Sequence, residues 1–187
     1  MSMKKPDFPI PWEKALKGSK LAIENAERLA NDAAVLKQND RLESAYYVSL
    51  NAWEELGKAV LLFRHWKEKQ DISEKQWHKI FRNHTIKRVA YTENFDALYP
   101  KSTPPMDMEE VLEKMKKVSK ERGRYFDFER QIGLYVDWVG EWRSPSMIDR
   151  RFIDSFGSDY WINGVLLSSS HLKRVISESE KEQPSNH

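Results

Sequence analysis

Apolar residues that return in steps of three and four dominate this chain, and that period admits helices and little else. Leu16, Ile23, Ala26, Leu29, Ala30, Ala33 and Leu36 mark one face of a first helix. Ala45, Val48, Ala52, Leu56, Ala59 and Phe63 mark a second. At 100° per residue each set forms one stripe, which must be buried against a neighbour. The alanines of the first stripe let that neighbour come close. Asn39-Asp40 ends the first helix, and Asp40 with Glu43 reads as an acidic version of a capping box opening the second. Ser73 and Gln76 have the reciprocal capping spacing, with Ile72 and Trp77 placed as a hydrophobic staple. They predict a third helix from Ser73 to about Tyr91.

Beyond it, Pro100, Pro104 and Pro105 interrupt the pattern. Asp107 with Glu110 restarts a helix through Val111, Met115 and Val118, and Gly123 weakens it. Phe126 to Trp142 is aromatic-rich without a clean period, and a last amphipathic helix fits Ile148 to about Val175. Short connections favour antiparallel neighbours. The expected fold is all-α, an antiparallel bundle of about five to six helices. The 187 residues suit one domain. The expected division is an extended arm over 1–12 marked by Pro6, Pro9 and Pro11, a helical domain over 13–176, and a disordered polar tail over 177–187.

Composition narrows the chemistry. The absence of cysteine excludes disulfides, thiolate zinc sites and cysteine nucleophiles. Thirty-one Lys and Arg against 29 Asp and Glu give a net charge of +2, so nucleic-acid binding would need a local patch. With a mean hydropathy of −0.75, charges interrupt every apolar run and no membrane partner is expected. The Lys- and Pro-marked N-terminus lacks the apolar core of a signal peptide, so the expected location is cytoplasmic. No GxGxxG or GxxxxGK[ST] string occurs, and no HExxH, ExxH or EF-hand pattern does. No cofactor and no metal are expected, although Glu55, His84 and Asp137 could converge from three elements.

Three segments carry polar groups that packing alone does not require. In the second helix, Glu54 and Lys58 have the i,i+4 spacing of a surface pair. Glu55 flanks the apolar stripe and needs a cationic or hydrogen-bonding partner there. Gly57 costs a helix about 1 kcal/mol relative to alanine, which points to close approach by another backbone. In the third helix, His78, Lys79, Arg82, His84, Lys87 and Arg88 occur with no acid among them. On the helical wheel His84 and Arg88 interrupt a face shared by Trp77, Phe81 and Tyr91, while His78, Lys79 and Arg82 point to solvent. His84 is then either a hydrogen-bonded core histidine or an acid/base group in a partly buried pocket, binding phosphate with Lys87 or Arg88. The third segment brings Arg130, Tyr135 and Asp137 together, in an extended piece or a helical turn, as a structural ion pair or as part of a cleft. The basic run from Lys114 to Arg124 reads as a solvated helix face, or as a phosphate-backbone patch.

Glu54-Glu55-Leu56-Gly57-Lys58, His84-Thr85-Ile86-Lys87 and Arg130-Gln131-Ile132-Gly133-Leu134-Tyr135-Val136-Asp137 follow one another in an order that resembles the AbiV abortive-infection family, a branch of the HEPN all-α superfamily. Asn25 to Ala33 fits the first helix of that family, and the similarity spans roughly Ala15 to Val175. The resemblance implies a phage-defence role that shuts down infected cells, a homodimer, and RNA as a partner. Many HEPN proteins are metal-independent endoribonucleases with an Arg-x4–6-His motif. Here no arginine stands at that distance before a histidine, and Lys79, five positions before His84, is the nearest approximation. Lysine supplies charge without the planar grip of a guanidinium. Whether the chain is an enzyme thus stays open on the sequence. If it is, His84, Lys87 and Arg130 with Glu55 as orienting carboxylate are the catalytic candidates. Arg88, Lys58, Tyr135 and Asp137 are the candidates for binding phosphate or ligand. The alternatives are a non-catalytic module whose seven tryptophans anchor a phage or host protein, and a bundle binding a nucleotide or small ligand.

Overall fold

A computed structural model describes the backbone of residues 6–98, 137–138, 142–143 and 158–182, and the side chains of 6–91 and 162–182. Its elements are α1 (Glu13–Gln38), α2 (Leu42–Lys67), α3 (Glu74–Arg82), α4 (His84–Leu98), the two-residue strands β1 (Asp137–Trp138) and β2 (Trp142–Arg143), and α5 (Ser158–Glu182). The protein is an all-α bundle with one minimal antiparallel ribbon, in which Asp137 pairs with Arg143 and Trp138 with Trp142. The extended reading of Asp137 and Trp138 is the one adopted. Among the described residues no helix is long and apolar enough to cross a membrane.

α1 and α2 form an antiparallel hairpin. The small buried face of α1 (Ala22, Ala26, Ala30 and Ala33 around Ile23) lies against α2, and Ser19 Oγ near its start donates to the Ala59 carbonyl at 2.8 Å. Asp40 does not cap α2 as the spacing suggests. It takes a left-handed conformation, φ 55°, and closes α1: its N–H donates to Lys37 O at 3.0 Å and that of Arg41 to Leu36 O at 2.9 Å. These are the two bonds of a Schellman ending, and aspartate tolerates the required φ better than most residues.

α2 is the centre of the bundle, with α1, α4 and α5 packed around it. Fifteen of its 26 residues are buried, so it has no broad polar face. α5 adds Ile162, Val165, Leu172 and Ile176 to the core. It continues to Glu182, through residues expected to belong to a disordered tail. Its polar end stays beside α1, where Lys20 holds Glu180 at 2.8 Å, and Lys173 holds Glu27 at 2.7 Å.

The N-terminal arm is tied down before α1 begins. Ile10 and Ile72 exchange backbone hydrogen bonds of 3.0 and 2.8 Å, Trp12 N–H donates to Asp71 Oδ1 at 3.0 Å, and Phe8 meets the Trp77 ring edge-on at 6.0 Å. α3 then starts where its capping box predicts, with Ser73 and Gln76 bonded reciprocally. The single helix expected over 73–91 is instead two. Asn83 leaves helical geometry (φ −100°, ψ 104°) and its Oδ1 accepts from Ile86 N–H at 3.0 Å. Asparagine competes well as a cap and poorly as a helix-interior residue, and the break falls at that residue. The helix expected from Asp107, with its basic run, lies outside the described residues.

Candidate functional site

Gly57 decides how α4 meets α2. A Cβ built there would stand 1.9 Å from the Lys87 carbonyl oxygen, so only glycine lets the first turns of α4 rest directly on α2. The expectation that this glycine marks a close backbone approach is met. His84, Lys87 and Arg88 share one face of α4 at i, i+3 and i+4. Glu54, one turn before Gly57, shares the corresponding face of α2. Contact at Gly57 therefore delivers three cationic or titratable side chains onto one carboxylate.

Glu54 is only 3 % exposed. Its Oε1 accepts from Arg88 Nη2 at 2.5 Å, and its Oε2 lies 3.3 Å from Lys87 Nζ. Oε2 also bonds His84 Nδ1. Burial alone pushes the Glu54 carboxyl up. The His84 hydrogen bond and the charges of Arg88 and Lys87 outweigh that effect and hold it at about 2. At neutral pH it is a carboxylate, which accepts and cannot donate. The proton of the His84–Glu54 bond thus sits on Nδ1, and Nε2 is the ring nitrogen left to exchange a proton. Lys87 is buried as well, and burial lowers its pKa despite the attraction of Glu54.

The His84 side chain keeps 27 % of its surface exposed and borders an open groove of about 660 Å³. The other wall is the face of α3 bearing Lys75, His78, Lys79 and Arg82, and among the described residues no acidic side chain lines the groove. Lys79 and His84, the nearest approximation to the Arg-x4–6-His spacing, thus share one depression. Buried carboxylate, bridging imidazole and basic groove follow one another, an arrangement fit for moving a proton next to a bound anion.

The two carboxylates of α2 stand opposite to their sequence reading. Glu54, read as half of a surface pair with Lys58, is the buried one. Glu55 is half-buried and takes Lys58 instead, at 2.5 Å, while Lys58 Nζ lies 5.4 Å from the centre of the Phe81 ring. The usable signal was the row Leu50, Glu54, Gly57, a four-then-three step into the position where another backbone had to approach. Lys87 and Arg88 converge with His84, but both point inward to Glu54, not into the groove. Arg130 and Tyr135 lie outside the described residues, and Asp137 is described in its backbone alone. Among the described residues no three His, Asp or Glu side chains are grouped to hold a metal ion.

The sequence profile of a family described as AbiV matches residues 14–155. No curated protein and no solved structure matches the chain. The matched span covers most of the chain and includes α1 to α4, which build the Glu54–His84 pair and the groove beside it. With the all-helical fold, that match establishes that the chain belongs to the AbiV family, a HEPN-type family of phage-defence proteins.

Proposed function

We propose that this protein defends its host by binding RNA in the α3–α4 groove and cutting it beside His84 without a metal. The observation that carries the reading is the buried carboxylate–imidazole pair opening onto a groove lined by cations. Cleavage at a 2′-hydroxyl requires removal of its proton, attack of the oxygen on the adjacent phosphorus, and protonation of the departing 5′-oxygen. His84 Nε2 is the proton-transfer group. Glu54 is a positioning residue, holding Nδ1–H and supporting the imidazolium that forms. Lys79 and Arg82 supply positive charge to the phosphate from the opposite wall, a role that the sequence had offered to Lys87 and Arg88.

The test is cleavage of a labelled single-stranded RNA by the purified chain in EDTA. Wild type should cut, and His84→Ala, assayed at a temperature where circular dichroism shows it folded, should cut at least 100-fold more slowly. Equal cleavage by the variant removes His84 from the chemistry. An intact substrate with wild type, together with undiminished phage protection in cells, replaces the enzyme by a binding module.

A further inference from the structure

Among the described residues, α3 is bound to the bundle by one narrow face: Ile80 is its only buried residue, with Trp77 and Phe81 half-buried beside it. The opposite face repeats at i, i+3, i+4 and i+7 as Lys75, His78, Lys79 and Arg82, all exposed and all lining the groove. Among the described residues Lys75, Lys79 and Arg82 make no ion pair, although exposed cations elsewhere, such as Lys20, Arg28 and Lys173, each hold a carboxylate. His78 stands 3.9 Å from Glu74.

Two of these four side chains are planar, and both are braced. The Arg82 guanidinium lies over the Trp77 ring at 5.7 Å, and the indole is itself stacked on Phe81 at 5.2 Å. The His78 ring meets the same indole edge-on at 5.1 Å. A guanidinium with one side against an indole is already ordered, and its exposed remainder faces the groove. Nucleobases of single strands stack on such planes and on imidazoles, whereas a duplex keeps its bases stacked on each other and offers only its backbone.

We propose that the outer face of α3 is a single-strand RNA track, in which Arg82 and His78 stack an unpaired base while Lys75 and Lys79 hold the flanking phosphates. This deepens the RNA reading above and rests on it for the kind of ligand. It adds strandedness and the residues that set it. Arg82 is then needed for its plane as well as its charge, whereas Lys79 is needed for charge alone.

The experiment is fluorescence anisotropy on the full chain with a 2′-O-methyl RNA 12-mer, which has no free 2′-hydroxyl and is not cut, as single strand and as duplex. Wild type should bind the single strand at least tenfold more tightly. Arg82→Lys, which preserves charge, should weaken single-strand binding about tenfold and leave duplex binding and the salt slope unchanged. Lys79→Ala should lower the slope of log K against log salt by about 0.7 for the single strand. Equal binding of the two forms, or wild-type binding by Arg82→Lys, overturns the track. Binding of neither form overturns both the track and the RNA reading. Selective, Arg82-dependent binding by a chain that fails to cleave RNA with free 2′-hydroxyls upholds the track and refutes only the enzyme.

Discussion

Glu54→Gln tests the electrostatics of the site with almost no change of shape. The wild-type carboxyl falls from 4.5 to about 2 on folding, and that displacement is worth about 3 kcal/mol of stability at neutral pH. Glutamine can still accept from Arg88, but its amide group presents donors toward Lys87 and the His84 Nδ1–H, and Arg88 and Lys87 are left without a counter-ion at that position. Removing one partner of a buried pair costs about 3–5 kcal/mol in general, in agreement with the first figure. The sign with pH follows from the direction of the shift. A carboxyl depressed in the folded state contributes its full amount above pH 4.5 and loses it as pH falls toward 2. The assay is urea unfolding of wild type and Glu54→Gln at pH 7, 4 and 3. Subtraction cancels the exposed carboxylates common to both. The difference should be about 3 kcal/mol at pH 7, equivalent to about 6–12 °C in melting temperature, and about half as large at pH 3. Equal stability at pH 7, or a difference that does not shrink in acid, refutes the claim that Glu54 is an ionised counter-charge.

Two further substitutions probe the same contact. Gly57→Ala places a methyl group against the Lys87 carbonyl, a backbone atom with no rotamer to escape through; it should destabilise by about 3 kcal/mol or more, while Gly18→Ala, which meets only the end of Leu62, should be far milder in the same melt. Lys87→Met should melt at the same temperature as wild type or higher at pH 7. Burial lowers the Lys87 pKa on folding, so its charge opposes folding below the folded pKa, and that opposition disappears as pH rises past 10.5. A clear loss of stability in Lys87→Met would show that its attraction to Glu54 exceeds its desolvation.

Local signals in the sequence were the most legible. The Ser73–Gln76 cap and the alanine face of α1 depend on residues within a few positions of one another, and each occurs as read. Asp40 and Asn83 were harder, because each can end a helix as easily as begin or continue one, and the surroundings decide. Glu54 and Glu55 failed for a different reason. A helical wheel orients a helix by contrast between a wet and a dry face, and α2, packed by three helices, has little contrast to offer. Which of two adjacent glutamates is buried then depends on where the cations lie, and those are about 30 positions away on α4. The sequence did hold that information, divided between the Gly57 contact and the spacing of His84, Lys87 and Arg88, but only contact between the helices joins the halves.

That division bears on why the cluster exists. Glu54 gathers Lys87, Arg88 and His84 on a single buried carboxylate, while Glu55 and Lys58 pair half-buried beside it. For stability alone, apolar residues of similar volume would serve at least as well as a buried ionic group. Lys87 makes the point sharply, since its burial works against the fold while Arg88 already supplies Glu54 with a partner. A charge kept inside at a cost to stability is the kind of exception that functional sites make. The imidazole is the one member of the cluster that reaches both this interior and the groove. In the proposed reading the buried charges keep Glu54 ionised and so orient His84 from behind, while the exposed cations of α3 receive the ligand from the front.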